Sequence, residues 1–217
     1  MKRLITSGSP MLLGFSAAVG ALLAVSVVAF ADTGSAGQLT ATRATVDPTT
    51  LLDAFQRPRT ERDALSPEVD AELRTLSSTA PSDALAPGDP VAARSRRVTH
   101  DDGTTFFLTP TTRNQLCIAV VPGGSAGCTA GIGLAEDGVE FQLMDADGLG
   151  QGRPTVVRGS VAAGAAGLEV ASASGRHEAP LVEGTFSISL SDVPTAVVVP
   201  MRDGSVRQVT IPAPPQP

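Results

Sequence analysis

From about Arg94 to Ile211, apolar side chains recur at every second position in short runs, each broken by glycine, aspartate or proline. Thr104–Thr109, Gln115–Val121, Val139–Met144, Thr155–Val161, Leu168–Ala173, Thr185–Leu190, Ala196–Val199 and Val206–Ile211 all read as short strands. Val139, Phe141 and Leu143 alternate with Glu140, Gln142 and Met144, which predicts one buried face and one wet face. The turn signals PGGSAG, EDG, DADG, SGR, DVP and RDG return at roughly ten-residue intervals, the spacing of a small antiparallel β-sandwich or barrel. No helical period separates the strands, so an α/β fold is disfavoured. The expected fold is mainly β, preceded by an N-terminal apolar helix and two short linker helices.

The apolar helix is expected over residues 11–31, MLLGFSAAVGALLAVSVVAFA. It carries no charge over about 20 residues, long enough to cross a bilayer core. Lys2 and Arg3 precede it and Asp32 follows, an order that keeps the N-terminus inside and sends the rest of the chain outward. Two fates stay open. Ala29 and Ala31 form the small-residue pair that a signal peptidase cuts after, which would release a secreted protein beginning at Asp32. The run is longer than the roughly 7–15 residues of a signal core, which favours a retained single-span anchor with an extracytoplasmic C-terminal domain. No cysteine lies near the end of the run, so a lipoprotein is excluded.

Four regions result: a signal-anchor or signal peptide over 1–31, a stalk with short helices over 32–93, a β-domain over 94–212 and a disordered tail over 213–217. Within the stalk, Asp47 caps a short helix opened by Pro48 and stopped by Pro58, with Leu51, Leu52 and Phe55 as its apolar side. Ser66 and Pro67 open a second helix in which Val69, Leu73 and Leu76 share a face and Glu68 and Asp70 sit at the positive end. Both are short for independent stability and need a surface to dock on. Ser77–Ala93 reads as a linker, and Arg94, Arg96 and Arg97 as the polar edge of the first strand.

Composition removes several functions. Of the 16 basic residues, Lys2 and Arg3 precede the apolar run, which leaves 14 arginines against 22 carboxylates, about −8 for the exported part. Such a chain lacks the footprint of a nucleic-acid binder or of a protein held to anionic lipid by its surface. With Lys2 the one lysine, the exported part has no Schiff-base, P-loop or lysine-base chemistry. The absence of Trp and Tyr disfavours carbohydrate and choline sites. Cys117 and Cys128, an even pair in an oxidising compartment, are expected to form a disulfide.

Three constellations could carry chemistry. Gly123–Gly127 fits G-x-S-x-G around Ser125, with Asp145 or Asp147 and then His177 in hydrolase order. A nucleophile elbow needs a helix directly after the serine, and CTAGIGLAEDG does not read as one, so a glycine-rich hairpin loop is the expectation. Asp145–Gly148 (DADG) resembles the start of a calcium loop, but position twelve is Val156 where a bidentate glutamate is needed. His100-Asp101-Asp102 and His177-Glu178 set histidines beside carboxylates, yet strand neighbours point to opposite faces, and both histidines read as exposed loop or edge residues. No catalytic, cofactor-binding or metal-binding set is therefore assigned.

The layout is similar to exported actinobacterial proteins of unknown function with one N-terminal span and a β-rich extracytoplasmic domain. The matching stretches are FQRPRTERD (Phe55–Asp63), SRRV (Ser95–Val98) and Leu116-Cys117 answered by Cys128. The resemblance implies a cell-envelope location and the disulfide, and no activity. The function expected is a non-enzymatic binding or interaction domain whose partner is a cell-envelope protein or small ligand. The alternative is a small secreted hydrolase using Ser125 or a histidine–carboxylate site.

Overall fold

The computed structural model describes residues 46–79, 87–145 and 155–212. The apolar run 11–31, its cleavage position after Ala31, the stalk before residue 46 and over 80–86, and the tail 213–217 lie outside the described residues. Among the described residues no helix is long and apolar enough to cross a membrane.

Among the described residues, twelve strands form three four-stranded antiparallel sheets. The first sheet is a meander of β1 (Arg96–Thr99), β2 (Thr105–Pro110), β3 (Leu116–Val121) and β4 (Ser125–Thr129). Here the expectation of one wet face fails, because β2 is buried along its whole length. Phe106, Leu108, Leu116, Ile118 and Val120 face one way and pack with Leu52, Ala54 and Leu134. Phe107, Cys117 and Ala119 face the other way and meet Val69 and Leu73 of helix α1 (Pro67–Ser78). Period-two strands can bury both sides when each set of alternate residues finds its own cover.

Helix α1 starts as its sequence dictates: the Ser66 hydroxyl accepts from the Val69 amide, Pro67 follows, and Glu68 and Asp70 occupy the first turn. Beneath it Cys117 and Cys128 stand opposite each other on β3 and β4 and form the disulfide. The segment after Asp47 folds as two 3₁₀ turns, Pro48–Leu51 and Asp53–Phe55, rather than one helix, and buries Leu52 and Ala54. The described part of 32–93 is thus packed onto the β-region.

The other two sheets face each other in a sandwich-like pair; the described strands close no barrel. One holds, in order, β5 (Val139–Asp145), β6 (Thr155–Val161), β10 (Thr185–Leu190) and β9 (Leu181–Val182). The other holds β12 (Val206–Thr210), β11 (Pro194–Pro200), β7 (Glu169–Ser172) and β8 (Gly175–Glu178). Val139, Val157, Val161, Phe186 and Leu190 from the first meet Val170, Val197 and Val199 from the second. Gly159 is required by proximity: a Cβ there would overlap the carbonyl oxygen of Glu140 on the paired strand β5. A short helix, α2 (Ile132–Glu136), forms in a stretch expected to hold none, entered through Gly131 at φ 70° and closed against Pro48.

The sheets are joined by hydrogen bonds from the N-terminal segment. The Ala54 amide donates to the Glu183 carbonyl at 3.1 Å, and the Ala163 amide donates to the Leu51 carbonyl at 2.6 Å. The Thr129 hydroxyl donates to Glu140, which links β4 to β5.

The disulfide closes a loop between residues separated by 11 positions under α1. Replacing both cysteines by alanine is expected to lower stability by about 2–3 kcal/mol, read as a shift of the urea midpoint by circular dichroism.

Candidate functional site

Strand β1 is an edge, and an edge strand presents unpaired peptide groups. The peptide groups of Arg97 face away from β2 and are taken up by side chains from the loop before α1. The Arg97 amide donates to Asp63 Oδ1 at 2.9 Å, and Arg57 Nη2 donates to the Arg97 carbonyl at 3.0 Å. Arg57 donates to Asp63 through both terminal guanidinium nitrogens, at 2.8 and 2.7 Å. The pair therefore stands where a neighbouring strand would, with one donor and one acceptor in register with Arg97.

The sequence builds this locally. Pro58 stops the second 3₁₀ turn, and Thr60 turns the chain so that its amide and hydroxyl both donate to Asp63 Oδ2, at 2.6 and 3.0 Å. Burial pushes the Asp63 carboxyl up. The Arg57 guanidinium and the amides of Arg97 and Thr60 outweigh that and hold it well below the usual carboxylate range. Arg57 also donates through Nε to both oxygens of Glu183, at 2.9 and 2.8 Å, and its pKa rises further above the ordinary value, chiefly through Asp63.

The arginines beside this pair are left over. Successive residues of β1 point to opposite faces. Arg97 lies 5.7 Å over the ring of Phe107, and Arg96 lies 5.3 Å over the ring of Phe55. One groove, lined by Arg57, Arg62 and Arg97 with Glu61, Asp63 and Glu183, measures about 890 Å³. A second, of about 440 Å³, is lined by Thr49, Thr50, Phe55, Gln56, Arg94 and Arg96. Arg59 and Arg62 are exposed, and among the described residues Arg59, Arg62, Arg96 and Arg97 have no carboxylate in ion-pair contact. In an acidic chain, the result is a basic rim along one sheet edge.

The residues singled out from sequence are placed elsewhere. Ser125 begins β4 opposite Val120, after the Pro122–Gly124 turn, as the hairpin reading requires; the chain continues from it as a strand, not a helix. Its hydroxyl is buried without a hydrogen-bond partner among the described residues, so no base addresses it. His177 lies on β8 of a different sheet. It shares Nε2 with the hydroxyls of Ser172 and Ser174, each at 3.1 Å, while Asp192 accepts from the Ser172 hydroxyl at 3.4 Å and the Ser174 amide at 3.0 Å. This His–Ser–Asp order is not that of a catalytic relay, in which the carboxylate orients the imidazole; it closes the β7–β8 turn onto the β10–β11 turn.

Asp145 ends β5, and Asp147 lies outside the described residues. Among the described residues no group of three His, Cys, Asp or Glu side chains is placed to hold a metal.

His100, read from sequence as exposed, is buried instead. The Thr185 hydroxyl gives its proton to the Val182 carbonyl at 2.9 Å, so it accepts from His100 Nε2 at 2.8 Å and ties the first sheet to the second. Asp102 accepts from the amide and hydroxyl of Thr104, at 2.8 and 3.0 Å, and forms the β1–β2 turn. Sequence reasoning named both halves of the rim, Phe55–Asp63 and Ser95–Val98, without a signal that they meet. Comparison of the chain with family models, curated proteins and solved structures gives no match.

Asp63→Ala leaves the Arg97 and Thr60 amides without their acceptor and half of Arg57 unpaired, and is expected to cost on the order of 3 kcal/mol by urea unfolding. The stability that Asp63 contributes is complete above its ordinary pKa of 3.8 and is lost as pH falls below it. Burial lowers the His100 pKa below 6.5, so the unfolded chain takes up that proton first, and stability declines as pH drops below 6.5. Urea midpoints at pH 7.5 and about 5.5 are expected to differ more in the native chain than in a His100→Gln variant.

Proposed function

We propose that this chain is a non-enzymatic cell-envelope protein, exported by residues 11–31, whose β-rich part binds a partner outside the membrane along the arginine rim of β1. The observation that carries the reading is the meeting of two arginine-bearing stretches at one sheet edge: Arg57, Arg59 and Arg62 beside Arg94, Arg96 and Arg97. In a chain with a net charge of −6, one such basic region is a directed electrostatic surface, and it gives orientation and rate to the approach of an anionic partner. The rim also stands on rigid elements, since Asp63, the Arg97 peptide and the Phe55 and Phe107 rings fix its base. Export rests on the charge order around the apolar run and on the disulfide, which suits an oxidising compartment.

Two measurements test the proposal. A photo-cross-linker placed at position 62 in native cells is expected to give adducts that a cross-linker at position 208, on the third sheet, does not. Arg59→Glu is expected to reduce those adducts several-fold; equal labelling from both positions would remove the rim as the binding surface. Intact mass after fractionation is expected to show either the full-length chain in the membrane or a species beginning at Asp32 outside it. A full-length chain in the cytoplasm would overturn export.

A further inference from the structure

Arg96 is a half-buried cation with no carboxylate in ion-pair contact among the described residues. Its Nη1 donates to the carbonyls of Arg94 and Ser95, at 3.2 and 3.0 Å, and its Nη2 donates to the carbonyl of Arg57 at 3.3 Å. These partners are dipoles, and Nε is buried with no partner among the described residues. The neighbouring carboxylate, Asp63, already accepts from Arg57, Thr60 and the Arg97 amide. Burial lowers the Arg96 pKa, Asp63 opposes that, and the like charges of Arg57, Arg59 and Arg94 add to the lowering.

This charge lines the 440 Å³ groove, with Phe55 beneath the guanidinium and Gln56, Thr49 and Thr50 on its walls. Arg94 stands on the same groove with its side chain 51% exposed. It reaches Asp47 at 3.4 Å and the Thr49 hydroxyl at 3.1 Å through one nitrogen, Nη2, and among the described residues its other donors are free. The Thr49 and Thr50 hydroxyl protons both go to Asp47, so the charged donors of the groove are the two guanidinium groups.

We propose that this groove is an oxyanion site that takes a small molecule carrying a carboxylate or phosphate group against Arg94 and Arg96. The proposal deepens, and rests on, the reading of the rim as a binding surface. The groove has the size of a small-ligand site, and arginine is the side chain whose fixed fork of donors matches carboxylate and phosphate oxygens. An arriving anion supplies the countercharge that Arg96 lacks. The uncharged part of the ligand would lie along Phe55 and Gln56.

The test titrates the full chain, in a non-ionic detergent that tolerates residues 11–31, with inorganic phosphate and separately with acetate. Ionic strength is held constant with chloride. Heat of binding and backbone amide shifts are read together. The expected result is saturable binding of at least one anion, with shifts confined to residues 49–56 and 93–97. Saturation by phosphate alone identifies a phosphate ligand, and saturation by acetate alone a carboxylate ligand. Arg94→Gln, at a side chain 51% exposed, is expected to weaken binding at least tenfold, whereas Arg202→Gln, at an exposed turn after β11, leaves it unchanged. No saturable binding by either anion, or binding that survives both Arg94→Gln and Arg96→Gln, would overturn the proposal. In that event, adducts formed from position 62 would leave the rim reading standing by itself; their absence would remove both.

Discussion

The bidentate contact between Arg57 and Asp63 is the point on which the N-terminal half of the described chain depends. It does three things at once. It satisfies a buried carboxylate, it closes the peptide groups of Arg97 at the free edge of β1, and it fixes the loop that leads from the 3₁₀ turns into α1. A half-buried ion pair is not in itself a strong source of stability, because desolvation offsets much of the Coulomb attraction. The structural value lies in the match of donor and acceptor to an edge strand, which an apolar pair of equal volume could not provide. Glu183, on the second sheet's β9–β10 turn, adds a second carboxylate to Arg57, so the same contact reaches across two sheets.

That arrangement also decides where positive charge is left. Asp63 and Glu183 are both committed to Arg57, and Asp47 is committed to Thr49 and, at longer range, Arg94. Of the remaining arginines, Arg96 and Arg97 lie over aromatic rings without a carboxylate in ion-pair contact among the described residues, and Arg59 and Arg62 are exposed. Structural saturation of three carboxylates by the loop is therefore the physical cause of the basic rim. Its segregation within an acidic chain follows from hydrogen-bond geometry at one edge rather than from the count of charges.

Much of the fold was legible because it is local. Alternation marked all eight strands predicted between residues 104 and 211, within a residue or two at each end. Ser66-Pro67 marked α1, and the cysteine pair marked its own partner. The missed strands lack a local signal. Ser125–Thr129 is made of small residues and becomes a strand by pairing with β3 through the disulfide; Gly175–Glu178 is polar and becomes one by returning from β7. Helix α2 hid among glycines because Gly131 supplies its left-handed start and Leu134 its burial. The single sandwich or barrel expected from strand spacing became three sheets, since spacing reports strand length and not which strands pair. His100 was misjudged for a related reason: its burial comes from Thr185, far away in sequence.

The site itself was invisible as a site, although its residues were noted, because its meaning lies in a long-range meeting. This bears on how any partner could be recognised. Many sheet proteins bind extended peptides by adding a strand to a free edge. At β1 that route is closed where it would matter most, since Arg97 has already spent both peptide groups on Asp63 and Arg57. The recognition proposed here would therefore proceed through side chains, that is, through guanidinium groups set on aromatic rings at the two faces of one strand. Such recognition selects charge and donor geometry, is sensitive to salt, and needs no strand-forming ligand. The contact that closes the edge to strand addition is thus the same one that leaves only side chains for the recognition proposed here.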